Sequence, residues 1–260
     1  MTPEAAAAAL AWLAEMGADE IIGDAALNRF ADIAATAPRP AAPPPPPAPP
    51  ARPIVAPAAL VPSGAAECRT LDEIVAALSD FDACPLKKTA TNLCFADGNP
   101  QARVMLIGEA PGRDEDIEGK PFVGRSGQLL DRMLAAIGLS RRAEDRESAV
   151  FITNTIFWRP PGNRTPTEAE TTMCLPFLLR AIEIQKPDFI VCLGAIPSQR
   201  LTGRNEGILK MRGRWTDATI SGRKIPLLPT LHPAYLLRQP AQKRLAWRDM
   251  LSLRQALDAH

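Results

Sequence analysis

Three side chains able to do polar chemistry each stand where an apolar run stops. Glu109 follows Val104–Gly108, Asn154 closes Ala149–Asn154, and His232 follows Ile225–Leu231. A carboxylate can orient or deprotonate a water, an amide offers a donor and an acceptor together, and an imidazole can exchange a proton. His232 is one of only two histidines, the other being the terminal His260. Each residue also has a plain reading. His232-Pro233 can be a turn, and Asn154 can cap local backbone as readily as it reads a pyrimidine edge. Asp114, Glu115 and Asp116 can form a solvated acidic turn, which suits Asp114 but suits Glu109 poorly, since Glu109 directly follows the apolar run. Phe122, held between Pro121 and Val123, can fill core or offer a stacking face. The polar residues gain force from their shared position: if the runs are neighbouring strands, all three meet at one edge.

The elements between them support that arrangement. Val104–Ile107, Ala149–Asn154, Phe189–Leu193 and Ile225–Leu231 read as buried strands. They alternate with helical patterns beginning at Gly127, at Thr167 and at Pro197, and with a last helix over Lys243–Asp258. Thr167 with Glu170 forms a capping-box pattern. The last helix carries Leu245, Trp247, Met250, Leu251, Leu253 and Leu257 on its apolar side. Strand alternating with helix predicts an α/β fold, a three-layer α/β/α sandwich on a central four-stranded parallel sheet. Ligands of such sheets bind at the carboxyl ends of the strands. Asp97-Gly98-Asn99-Pro100 reads as a turn before the first strand, the residues after Gly112 as an acidic loop, and Gly207–Trp215 as a basic connector.

Three regions are expected along the 260 residues. Residues 1–35 read as an N-terminal helical segment, an appendage or a docking arm for an unknown partner. Residues 36–66, with Pro43–Pro47, read as an extended Pro/Ala-rich disordered linker. Residues 67–260 read as the catalytic domain. A net charge of +1 argues against a binder held by bulk charge, and leaves room for a local basic face. No long apolar window and no basic leader appear, so neither a membrane span nor a secretory signal is expected. The five cysteines form no C-x-x-C pair, so reduced thiols in a cytoplasmic monomer are expected.

Gly108-Glu-Ala-Pro-Gly112 and Gly119-Lys-Pro-Phe-Val-Gly124, then Ile152-Thr-Asn154 with Trp158-Arg-Pro-Pro-Gly-Asn-Arg164, then His232-Pro-Ala-Tyr-Leu-Leu-Arg238, resemble the three ordered motifs of the family 4 uracil-DNA glycosylases. The resemblance spans roughly residues 84–256. It implies excision of uracil from DNA, with the base extruded from the stack. It further implies that Glu109 positions the attacking water, that Glu115 and Asn163 assist that water or order the loop, and that His232 donates to the uracil oxygen. Gly108, Phe122 and Asn154 would hold the base. His232–Arg238 looks like the element entering the duplex: Tyr235, Leu236 and Leu237 would wedge base steps, although one of the two leucines can belong to core. Arg238 and Lys243 would face phosphates, as would Arg244 and Arg248, and the helix-opening amides of Ser126 and Gly127 can hold a phosphate.

The chain departs from the family at one place. Family 4 enzymes usually carry a [4Fe-4S] cluster on four cysteines. Cys84 and Cys174 stand at the first and fourth positions, but Lys87 and Trp158 occupy the second and third, and neither ligates iron as a thiolate does. No cluster and no other metal is expected; Trp158 would fill the volume, with Lys87 reaching solvent. The competing function is a module that binds damaged DNA without cutting it. A nucleotide-dependent enzyme is disfavoured because no G-x-G-x-x-G or phosphate-binding G-x-x-x-x-G-K-[ST] occurs.

Overall fold

The computed structural model describes residues 64–259. The N-terminal helical segment, and the linker except for its last residues, lie outside the described residues. The chain builds six strands: β1 (Ala96–Gly98), β2 (Val104–Gly108), β3 (Val150–Asn154), β4 (Phe189–Leu193), β5 (Thr216–Ile220) and β6 (Arg223–Thr230). Their order is β1-β3-β2-β4-β6-β5. The inner four are mutually parallel. β1 and β5 run antiparallel at the two edges, so the expected four-stranded sheet is the centre of a six-stranded mixed one. Both edge strands escape a reading by hydrophobic run. β1 is three residues long with Asp and Gly in it, and β5 shows only weak alternation.

Eight α-helices are described: α1 (Leu71–Asp80), α2 (Arg113–Glu118), α3 (Arg125–Ala135), α4 (Glu168–Gln185), α5 (Ala195–Thr202), α6 (Ile208–Met211), α7 (Pro233–Arg238) and α8 (Lys243–Asp258). The acidic loop is therefore partly the helix α2, and the basic connector contains α6. α4 opens with the expected box: Thr167 accepts from the Glu170 amide and Glu170 accepts from the Thr167 amide. In β2, Met105 and Ile107 pack on one face, in the cluster that holds Ile74, Leu78, Phe177, Leu178 and Leu201 of α1, α4 and α5. Val104 and Leu106 pack on the other, with Leu130, Leu134, Met250, Leu253 and Leu257 of α3 and α8. This alternation along fully buried strands makes the three layers.

Candidate active site

The parallel register places Gly108 opposite Asn154. Gly194, just past β4, packs against His232, just past β6: a Cβ built on Gly194 would lie 3.4 Å from the His232 Cβ. The four strand ends thus meet along one rim. A cavity of about 440 Å³ opens there, lined by Glu109, Phe122, Ser126, Asn154, Asn163 and His232 together with Glu115, Arg164 and Arg238. That volume is within the usual range for small-ligand pockets.

The aromatic wall is tightly specified. Phe122 is buried and has φ +55°, a left-handed conformation uncommon for a bulky residue. Its ring centroid lies 5.5 Å from that of His232, the planes tilted by 33°. Two glycines make room for it. A Cβ on Gly108 would fall 2.6 Å from the Phe122 ring and 2.3 Å from Asn154 Oδ1, and one on Gly127 would fall 1.7 Å from the Phe122 carbonyl oxygen. Arg141, its side chain only 9 % exposed, holds the loop from behind. It donates to the carbonyls of Pro121 (3.0 Å) and Phe122 (2.9 Å) and pairs with Asp97 (3.1 Å) and Asp131 (2.8 Å).

The polar groups are few and partly uncommitted. Asn154 is buried, and its Oδ1 has no hydrogen-bond partner among the described residues. A buried amide oxygen without a partner is costly unless a ligand supplies one. Glu109 is partly buried; its backbone oxygen accepts from Thr155 Oγ1 (2.6 Å), which fixes the residue, while burial raises its carboxyl above the usual range. His232 caps α7, its Nδ1 accepting from the Ala234 amide at 3.1 Å. Burial, helped by Arg238, lowers its pKa to about 4. The neutral ring then carries its proton on Nε2, which remains the donor for the pocket.

The other acids of the motif hold the loops. Glu115 accepts from the amides of Gly112 (3.1 Å), Val123 (3.1 Å) and Gly124 (3.0 Å), joining the start of α2 to the Phe122 loop. Buried Asp116 accepts from the Thr91 and Asn92 amides. Asn163 is exposed on the Pro-rich loop and accepts from Arg159 Nε at 2.7 Å. Arg164 forks onto Glu170 (2.9 and 2.6 Å), whose carboxyl the guanidinium holds down to about 2.

A family model for the uracil DNA glycosylase superfamily matches residues 95–251. The type-4 uracil-DNA glycosylase of Thermotoga maritima is 46 % identical over 171 residues, covering 65 % of this chain and 84 % of the relative. That of Archaeoglobus fulgidus is 41 % identical over 175 residues, 66 % of this chain and 85 % of the relative. That of Saccharolobus solfataricus is 41 % identical over 194 residues, 73 % of this chain and 87 % of the relative. The chain belongs to the type-4 uracil-DNA glycosylases.

For a member of this family, the corner expected to hold four thiolates is built differently. Cys84 and Cys174 are both buried, and each feels the other: the Cys174 thiol draws Cys84 below the ordinary thiol range, while Cys84 and burial push Cys174 up. Trp158, buried, stacks on Phe81 (6.5 Å between centroids) and meets Phe157 edge-on at 6.4 Å. Lys87 reaches the surface, where it is tied to Asp82 (2.7 Å) and to the Ser79 carbonyl. Among the described residues no group of three or more His, Cys, Asp or Glu is placed to hold a metal. Two thiols beside an indole and a paired lysine do not fit a four-thiolate cluster.

The structure also corrects several assignments at the type-4 glycosylase's expected DNA face. Leu236 is fully buried with Leu129, Leu231 and Ala246, so it supports α7 from below and is unavailable as a wedge. Tyr235 and Leu237 are partly exposed beside it. Gly127 is buried; what it provides is close approach to Phe122, not a phosphate site. Lys243, expected to face phosphates, is exposed on a groove between α3 and α8 rather than on the catalytic pocket itself. Arg212 of the supposed basic connector is bound to buried Asp249, which also accepts from Thr230 Oγ1 at 2.6 Å and so anchors the end of β6. Sequence reasoning missed Arg141, one of several charged residues in a loop without motif or periodicity. It also placed Trp247 and Leu251 on an apolar helix face, whereas they are 42 % and 41 % exposed. No described helix is long and apolar enough to cross a membrane.

Proposed function

We propose that this chain hydrolyses the N-glycosidic bond of uracil in DNA, leaving an abasic site, in a pocket formed by Glu109, Phe122, Asn154 and His232. The single observation that carries the reading is the unpaired Asn154 Oδ1 at a pocket that also exposes a neutral imidazole donor and an unbonded carboxylate. Uracil presents an N3–H donor beside carbonyl acceptors, and an asparagine amide complements that edge with one acceptor and one donor. Phe122 stacks on the extruded ring. As the glycosidic bond lengthens, the sugar gains positive and the base negative charge. His232 Nε2–H donates to the base oxygen without first losing a proton, since its ring is neutral. Glu109, with a carboxyl made more basic by burial, orients the attacking water and faces the cationic sugar. Glu115 orders the loop through three backbone bonds, and Asn163 flanks the water side of the pocket.

Ser126 and Arg238 line the pocket mouth, where the phosphates next to the flipped nucleotide pass; Tyr235 and Leu237 are the apolar groups left to fill the vacated stack. The enzyme acts in the cytoplasm as a monomer without an iron–sulfur cluster, and the N-terminal arm serves as a docking segment. The test is base release from single- and double-stranded oligonucleotides carrying U:G, U:A, T:G or hypoxanthine. Alkali-labile product from the uracil substrates is expected. A mobility shift without product would replace this reading with that of a damage-binding module.

A further inference from the structure

A second concave surface, of about 380 Å³, lies between α3, α7 and α8. Its floor is apolar and includes Leu236, and its ionisable lining residues, Arg132, Lys243 and Arg244, are all cations. None of the three has an ion-pair partner among the described residues. Trp247, 42 % exposed, forms one side. It follows Lys243 by one helical turn, so an aromatic face and a cation share one stripe of α8. Three arginines with largely buried side chains are instead bound: Arg103 to Glu147 and Asp188, Arg141 to Asp97 and Asp131, Arg212 to Asp249. Arg132, Lys243 and Arg244 are exposed and unpaired among the described residues, so all three cations stand open to a ligand around the exposed indole.

Two helices connect this groove with the catalytic pocket. α3 begins in the pocket at Ser126 and reaches the groove at Arg132, about 9 Å further along its axis. α7 turns Ala234 and Arg238 to the pocket and Leu236 to the groove. A strand leaving the pocket along either helix meets the groove within a few nucleotides.

We propose that this groove is a second nucleic-acid contact, taking the DNA strand that flanks the extruded nucleotide. Trp247 stacks on an unpaired base, and Arg132, Lys243 and Arg244 hold the phosphates on either side of it. The proposal rests on the glycosylase reading for the identity of the ligand. It adds a requirement that reading lacks: the flank in the groove is single-stranded, because a paired base has no free face for the indole.

The experiment uses the full chain and single-stranded oligonucleotides in which a tetrahydrofuran abasic analogue replaces the uridine, with short or long flanks, read by fluorescence anisotropy. Wild-type affinity should rise with flank length. Trp247→Ala should lose about tenfold on the long probes, while Trp247→Phe should keep most of the affinity. Arg132→Ala and Arg244→Ala should each lower the slope of log K against log salt by about 0.7. Thermal midpoints confirm that each variant is folded. Long-flank affinity and salt slope at wild-type values in all these variants would overturn the proposal. So would a concentration-dependent dimer in sedimentation that Trp247→Ala abolishes, which would make the groove a contact between copies. Uracil release by the wild-type protein is measured in parallel. If release occurs and the variants still bind like wild type, only the groove assignment fails; if no uracil is released, the glycosylase reading itself fails.

Discussion

Replacing Gly108 by alanine tests the pocket at its tightest point. The new methyl would sit 2.3 Å from Asn154 Oδ1 and 2.6 Å from two carbons of the Phe122 ring. Non-bonded carbons settle about 3.5–4.0 Å apart, so ring, amide or strand must yield by about 1 Å. The ring has little freedom to do so, since Arg141 and Gly127 hold its backbone. A displacement of that size in a substrate-positioning group costs about 100-fold in rate, and the overpacking costs about 1–3 kcal/mol of stability. The assay is single-turnover uracil release together with inhibition by free uracil, with thermal midpoints to separate the two costs. Gly207→Ala is the control: nothing lies within 4 Å of its built Cβ, and wild-type excision is expected. Wild-type excision and uracil affinity in folded Gly108→Ala would show that base, ring and amide are not packed against one another as argued.

Five further outcomes follow. Both titrating groups act on the acid side: His232 must remain neutral, which holds down to about 4, and Glu109 must be ionised, which burial delays to above the ordinary glutamate range. The rate should therefore rise with pH and then stay flat. An inflection near 6.5 that disappears in His232→Gln would refute the depressed histidine. The same shift makes stability fall as pH drops from about 6.5 towards 4, because the unfolded chain then binds a proton the folded one does not, a trend that chemical denaturation at several pH values would reveal. Asn154→Ala should lower kcat/KM by about 10²–10³ with a near-native melting temperature, since its oxygen gives up no protein hydrogen bond. Arg141→Ala should cost about 2–3 kcal/mol in denaturant titrations and weaken inhibition by uracil. In a double-mutant cycle with Phe122→Ala its effect on uracil binding should be non-additive, whereas additive effects would sever the link between the two residues. Protein purified anaerobically should contain no stoichiometric iron or sulfide, and Trp158→Ala should lose about 3–5 kcal/mol, as removal of a core aromatic does.

How far the structure was legible depended on how much each element declares of itself. β4 is a five-residue apolar run between Asp188 and Gly194, and its bounds follow from those residues alone. The capping box at Thr167 and Glu170 and the last helix were equally readable, because capping and 3.6-residue spacing are local properties. The strand-end rule then places Glu109, Asn154 and His232 on one rim. What stayed hidden was non-local. β1 and β5 are strands only because β3 and β6 offer an edge to them. The acids after Gly112 look alike in sequence, yet Glu115 and Asp116 turn inward to bind backbone amides while Asp114 remains exposed. Arg141 gains its place from four partners distant along the chain, and no local pattern announces it. Trp247 matches helical periodicity, but the described residues leave it 42 % exposed.

The clamped Phe122 has a consequence for how lesions are found. A ring fixed by a left-handed backbone, a glycine contact and a guanidinium leaves the enzyme with little to rearrange when a base arrives. The motion that remains belongs to the DNA. Discovery is then paced by how often a nucleotide swings out unaided, so uracils in mispairs, frayed ends and transiently open stretches would be met sooner than those in sound helix, with chemical identity checked only after arrival.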